Sequence, residues 1–374
     1  MRLVPIVVAT SAVALLVGCS SDPKPTAPGV SDSRKRAVQA DIDRVVESGI
    51  AGAIATVTEN GTSVVLTSGV ADRDTRAPIP ADPPQQVRVG SISKSFIGAV
   101  AMQLVAEGKI RLDEPIDTYL PGLLVGDGID GKVITVRHIL RHQSGLPELT
   151  ADPGIDEYQI ALQNRTVTPE QEIASVLTRP AVFAPGTQWQ YSNSNYIVAG
   201  MLVERVTGAP YADELNRRIL QPLALKDTYL PGAGERDIRG PHPKGYATVD
   251  GVMTDVTRIE PSVPWAAGAM VSTGADLNRF YSELLAGRVV PAAQLAEMRA
   301  GVPMGSELGM EYGLGIGSTR LPCGAEYVGH TGGIYGFLTI SGATPEGRAV
   351  TLAFTGSPES EPDTVGMLTH ALCP

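Results

Sequence analysis

Ser91 and Lys94 stand three residues apart in the stretch VGSISKSF, residues 89–96. A serine hydroxyl is a poor nucleophile and needs a base within hydrogen-bond reach. A lysine serves as that base only if burial or positive neighbours lower its pKa by about three units. On a helix, positions i and i+3 share a face one turn apart, and the helix N-terminus favours negative charge developing on oxygen. The competing reading is structural, because a serine at such a place also caps helices. Ser-x-x-Lys occurs twice in the chain. Ser21 and Lys24 lie among prolines and serines, where no rigid geometry is expected. Ser91 instead precedes apolar residues at Ile92, Phe96, Ile97, Val100, Leu104 and Val105, which is helical spacing, with Gly108 as the stop signal.

Two further stretches carry chemistry-bearing types. Tyr191 and Asn193 follow the Pro185-Gly186 turn and precede a helical pattern. His330, Thr331, Gly332 and Gly333 end a predicted strand. Tyr191 is a second candidate base, as a phenolate held by Lys94, and the residue types alone do not choose between the two. The backbone N–H of Ser91 is one candidate donor to an oxyanion.

The elements that must position these residues follow from periodicity. Val38, Ile42, Val45 and Val46 share one helical face within residues 34–48. Asn60-Gly61 between two apolar runs is a hairpin signal. Residues 109–264 read as mainly helical, with Thr168 and Gln171 at capping-box spacing and Gly208 closing a helix. Thr273 and Asp276 have helix-start spacing, and the last hundred residues return to strands before a final helix. Strands at both chain ends with helices between predict an α+β fold: one antiparallel sheet built from both ends, flanked by helices, with a mainly helical insertion over about 106–264.

The ordered set Ser-x-x-Lys, Tyr-x-Asn and His-Thr-Gly resembles the penicillin-recognising serine hydrolases: class C β-lactamases, serine D-Ala-D-Ala carboxypeptidases and related esterases. The likeness runs through "GKIRLDEPIDTYLPGL", "ITVRHILRHQSGLP", "YSNSNYIVAGMLVERVTG", "PWAAGAMVSTGADL" and "YGLGIG", covering about residues 34–373. It implies a β-lactamase/transpeptidase-like catalytic domain over 34–374. By resemblance Ser91 is the nucleophile, Lys94 and Tyr191 share proton transfer, and Asn193 orients a substrate amide. His330, Thr331, Gly332 and Gly333 line the cleft, with the Gly333 N–H as second oxyanion donor, and Trp265 is placed at the cleft. The implied substrate is a peptidoglycan stem peptide, an ester or a β-lactam, with no cofactor and no metal. The chain departs from the carboxypeptidases in having Gly333 where they often carry threonine. Its one arginine after "YGLG", Arg320, also comes late. Carboxypeptidase, esterase and β-lactamase activities, and a non-catalytic wall-binding role, therefore all stay open.

Arg2 followed by an apolar run over residues 3–17 reads as an export signal, too short to span a bilayer comfortably. Leu16-Val17-Gly18-Cys19 resembles a lipobox, so residues 1–18 are expected to be a lipoprotein signal peptide and Cys19 the lipidated residue. Residues 19–33 are expected to be a disordered tether, and the protein an envelope or periplasmic monomer held by lipid at the outer face of a membrane. Cys323 and Cys373 remain, and an even pair in an oxidising compartment suggests one disulfide, two buried thiols being the alternative. The resembled carboxypeptidases link the same two positions.

A net charge of −10 with no basic run excludes nucleic acid as a natural partner. Gly126–Val133 nearly spells a phosphate-binding loop but ends in Val133 and carries two aspartates. His138 and His142 share a helical face without a third ligand in sequence, and read as capping and packing residues. No G-x-S-x-G is present.

Overall fold

The computed structural model describes residues 29–305, 309–358 and 362–374. The expected signal peptide, Cys19 and most of the expected tether lie outside the described residues. Helix α1 (Asp32–Glu47) starts two residues ahead of expectation, because the Ser31 side chain accepts the Arg34 N–H and caps it. Strands β1 (Gly52–Glu59) and β2 (Thr62–Gly69) form the hairpin around Asn60 and Gly61, both at positive φ. After β3 (Val87–Arg88) come a single 3-10 turn, Gly90–Ile92, and helix α2 (Ser93–Ala106), which stops before Gly108 at φ 71°.

The middle of the chain holds helices α3 (Val136–Leu140), α4 (Glu157–Leu162), α5 (Pro169–Val176), α6 (Ser194–Thr207), α7 (Tyr211–Leu215) and α8 (Trp265–Gly268). Thr168 and Gln171 make the expected capping box, and Gly208 closes α6 in the left-handed region. The same region carries two small hairpins, β4 (Val125–Gly126) with β5 (Ile129–Asp130) and β6 (Tyr246–Val249) with β7 (Val252–Asp255). The first occupies the near-match to a phosphate loop, which is thus a hairpin turn; the next helix, α3, starts only at Val136, capped by Thr135. Strand β8 (Val271–Ser272) pairs with β3, and α9 (Gly274–Leu285) follows, capped by Thr273. Helix α10 (Ala292–Arg299) leads to β9 (Val302–Pro303), β10 (Glu311–Tyr312), β11 (Gly317–Arg320), β12 (Glu326–Ile334), β13 (Phe337–Ala343), β14 (Arg348–Phe354) and the last helix, α11 (Thr364–Leu372).

The main sheet is antiparallel, in the order β2-β1-β14-β13-β12-β11-β10-β9, so the two chain ends meet at β1 and β14. The period-2 alternation of strands decides its faces. Ala53, Ala55 and Val57 join Ile42, Val45, Leu368 and Leu372 in a core under α1 and α11. Ile54 belongs to the larger core that α2, α6 and α9 share. On that face Asn278 of α9 donates from Nδ2 to the Thr56 carbonyl at 2.9 Å and accepts from Thr351 at 2.7 Å, tying α9 across β1 and β14. Cys323 and Cys373 form a disulfide that joins the β11–β12 turn to the end of α11.

Candidate active site

Ser91 lies in the 3-10 turn and caps nothing; no side chain caps either that turn or α2. The local backbone is tied instead by Ser93, whose hydroxyl donates to the Gly90 carbonyl at 2.7 Å and accepts the Met270 N–H. Ser91 Oγ is therefore left to two other partners. It accepts from Lys94 Nζ at 2.9 Å and from the Tyr191 hydroxyl at 2.6 Å. Segments about a hundred residues apart thus converge on one oxygen.

Strand β12 presses the serine turn from the other side. It pairs with β11 only as far as Gly329, so from His330 onward its free edge faces residues 89–91. The approach is backbone on backbone. A Cβ at Gly332 would fall 1.9 Å from the Val89 oxygen, and one at Gly90 would fall 2.8 Å from the Gly333 oxygen. Gly90 also sits at φ 52°, a conformation costly for other residues. The two glycines bring the Gly333 N–H close to the Ser91 N–H, the pairing an oxyanion hole needs. A Cβ at Gly333 would meet nothing within 4 Å, because that position opens into the cleft.

Lys94 is fully buried. Its Nζ donates to Ser91 Oγ, to Asn193 Oδ1 at 2.8 Å and to the Ala267 carbonyl at 2.7 Å. Burial lowers its pKa from 10.5 to about 7, against the opposing pull of the Glu148 carboxylate. Burial moves Tyr191 the other way, well above the usual phenol range, and the Glu148 charge adds to that rise. The neutral amine and neutral phenol are thus both accessible at neutral pH, whereas a Tyr191 phenolate is strongly disfavoured.

The remaining residues divide. Gly333 and Asn193 line a cleft of about 670 Å³, together with Tyr335, Asp156, Glu157 and Arg73; Ser91, Lys94 and Tyr191 are not among its lining residues, and it reaches the site through Asn193 and Gly333. Thr331 is exposed, and Gly332 is buried against the serine turn. His330 faces inward: its Nε2 pairs with the Tyr312 hydroxyl at 3.0 Å, and burial holds its pKa down at about 3. Asn193 is held within the site, its Oδ1 engaged by Lys94 and its Nδ2 by Glu148 at 2.8 Å, and it also lines the cleft. Trp265 is not among the residues that line this cleft. Its indole lies over Gly200 of α6, where a Cβ would come within 2.5 Å of the ring, and stands edge-on to Tyr211. It packs the helices together, and from this region the Ala267 carbonyl reaches the site instead. Glu148 and that carbonyl escaped the sequence reading. One is a single acid in a loop without periodicity, and the other is backbone. His138 closes the Thr135 capping box, and His142 Nδ1 accepts the Ser192 N–H. Arg320 contacts the Gly324 carbonyl on the β11–β12 turn, opposite Glu326. That is seven strand residues from Gly333, about 23 Å along β12.

A buried lysine on a serine at a helix start, a tyrosine donor and a glycine strand edge define a serine hydrolase of the β-lactamase and penicillin-binding-protein type. The family model for Beta-lactamase matches residues 36–372, and the chain belongs to that family. A D-stereospecific amidohydrolase from Streptomyces superposes with TM-score 0.83 at 34% identity, over 90% of this chain and 98% of that one. The D-amino acid amidase of Ochrobactrum anthropi SV3, complexed with L-phenylalanine amide, gives TM-score 0.77 at 30% identity over 90% and 98%. Esterase EstB of Burkholderia gladioli is 28% identical over 265 residues, 64% of this chain and 65% of the esterase, so the chain spans less than two thirds of that relative.

Proposed function

We propose that this protein hydrolyses amides of D-configured amino acids through an acyl-enzyme on Ser91. The observation that carries the reading is the convergence of Lys94 Nζ and the Tyr191 hydroxyl on Ser91 Oγ. Lys94, neutral above about pH 7, takes the serine proton as Oγ bonds to the amide carbon. The oxyanion is received by the N–H groups of Ser91 and Gly333. The Tyr191 hydroxyl donates a proton to the leaving nitrogen and is reprotonated from Lys94. Water then adds to the acyl carbon, giving its proton back through the same pair, and the acid leaves Ser91.

The D-amide assignment is supported by the named structural relatives and by the cleft. Asp156, whose oxygens accept the Gln159 N–H and the Tyr335 hydroxyl, and Glu157, whose pKa burial raises to about 7, give it an acidic lining on the side an ammonium group would meet, and Arg320 is remote from it. A second reading, D-Ala-D-Ala carboxypeptidase activity on a stem peptide, is favoured by Arg73. This guanidinium lines the same cleft, stacked over Tyr246 at 5.7 Å, where it could receive a terminal carboxylate. Ammonia release from D-phenylalaninamide, but not the L-amide, is the expected result, abolished in Ser91→Ala. D-alanine release from a diacetyl-Lys-D-Ala-D-Ala tripeptide without amide turnover would favour the second reading. No covalent labelling of the wild type by a fluorophosphonate or a fluorescent penicillin would overturn both. We place the enzyme in the cell envelope, lipid-anchored at Cys19; Cys19→Ser should move it from the membrane to the soluble fraction, and an unchanged distribution would refute the anchor.

A further inference from the structure

We propose that Glu148 is a positioning residue that fixes which end of the Asn193 amide meets Lys94, and so aims the Lys94 lone pair at Ser91. The proposal rests on the reading of Lys94 as the base.

A neutral lysine has two N–H bonds and one lone pair on a tetrahedral nitrogen. Three acceptors surround Lys94 Nζ: Asn193 Oδ1, the Ala267 carbonyl and Ser91 Oγ. A carbonyl and an amide oxygen only accept, so they claim the two N–H bonds. The lone pair is then left facing Ser91, the one neighbour of the three that can donate. This logic fails if the Asn193 amide turns over. Its NH2 would then donate to Lys94, and the lone pair would be spent on Asn193.

Glu148 removes that freedom. Its Oε1 accepts from Asn193 Nδ2 at 2.8 Å, and its Oε2 accepts the Asn193 N–H at 2.7 Å. The carboxylate is itself held, since Oε1 also accepts the Thr150 N–H at 3.0 Å and the Thr150 hydroxyl at 2.9 Å. The Glu148 carbonyl in turn accepts from Arg179. A carboxylate accepts only, so NH2 must face Glu148 and oxygen must face Lys94. Glutamine at 148 would set its own NH2 against a backbone N–H, that of Asn193 or that of Thr150, and would no longer force the Asn193 amide into one orientation.

Glu148 is also the charged neighbour of Lys94. The rings of Tyr191 and Tyr196 face Nζ at 4.9 and 5.5 Å, but burial keeps both phenols protonated. His142 and His330 lie near, and burial keeps both neutral. Neutralising Glu148 therefore makes the lysine cation still less favourable.

The test is a double-mutant cycle on the full-length enzyme with p-nitrophenyl acetate and D-phenylalaninamide as probes. Glu148→Gln should lower kcat/KM about 100-fold, mainly in kcat, for both probes. In the Asn193→Ala background the same change should cost no more than about threefold, because the residue it acts through is gone. Equal losses in both backgrounds would overturn the proposal. So would a loss confined to the free-amine substrate, which would make Glu148 a substrate contact. A second readout needs neither turnover nor an intact hydrolytic mechanism. With lysine labelled by 13C at Cε, and the Lys94 signal assigned from Lys94→Arg, the Lys94 titration midpoint should fall in Glu148→Gln. An unchanged midpoint in folded variant protein overturns the proposal. If the wild type is not acylated at all, the catalytic reading fails, while the titration still decides whether Glu148 governs Lys94.

Discussion

Replacing Gly332 by alanine tests the close approach of β12 to the serine turn. The new Cβ would lie 1.9 Å from the Val89 oxygen, 2.9 Å from the Val89 carbonyl carbon and 3.0 Å from the Ser91 nitrogen. Carbon and oxygen in favourable contact sit about 3.3 Å apart. The shortfall is about 1.4 Å, and all three obstacles are backbone, so no rotamer change relieves it. Either β12 or the turn must move by more than 1 Å. Overpacking of this kind costs about 1–3 kcal/mol, and an ångström of misplacement at reacting groups costs about 100-fold in rate. The expected outcome is a lower guanidinium midpoint together with a fall of about 100-fold in kcat/KM on p-nitrophenyl acetate. Gly333→Ala is the stability control. Its Cβ meets nothing within 4 Å, so its midpoint should equal or slightly exceed the wild-type value through the stiffer unfolded chain. Wild-type rate and midpoint in Gly332→Ala would refute the backbone contact on which the oxyanion geometry depends.

The Lys94 pKa of about 7, against 10.5 for a free lysine, fixes a pH dependence. kcat/KM should rise with pH and level off above about 7, and Lys94→Arg should be inactive, since a guanidinium does not release its proton. Between about pH 7 and 10 the unfolded chain binds the proton that folded Lys94 has released, so this group makes stability increase with pH. Lys94→Met should flatten that slope when urea midpoints at pH 6 and 9 are compared, and an unchanged slope would contradict the assignment. The Cys323–Cys373 bridge closes a separation of 50 residues, worth about 4 kcal/mol in the chain-entropy model. Cys373→Ser should therefore lower the melting temperature while leaving 25 °C activity near wild type, because the bridge lies away from Ser91.

What was legible in the sequence was whatever leaves a periodic or punctuated trace. Helix α2 showed in its apolar spacing, the first hairpin in Asn60-Gly61, α5 in its capping box and the strand-helix-strand order in the alternation of periods. Within the site, Ser91, Lys94 and Tyr191 were found because their types and order are unusual. One feature was misread because a side chain's type does not reveal which neighbour takes it. Trp265 has the size of a cleft wall, yet Gly200 offered its ring a flat seat on α6. Asn193 has the groups to bind a substrate amide, and what its type did not reveal is that Glu148 and Lys94 fix which way that amide faces. Glu148 itself left no trace, since its importance lies wholly in four hydrogen bonds made after folding. The Ala267 carbonyl could not be read from side chains at all.

Because β1 lies between β2 and β14, Ala53 must wait for Phe354 before its strand has a second neighbour. The edge that completes the serine's surroundings is supplied by residues 330–333, also late in the chain. A polypeptide still emerging from the ribosome carries its nucleophile, its lysine and its tyrosine long before it owns the strand that makes them a pocket. The surroundings of Ser91 are therefore incomplete until residues 330–333 are in place.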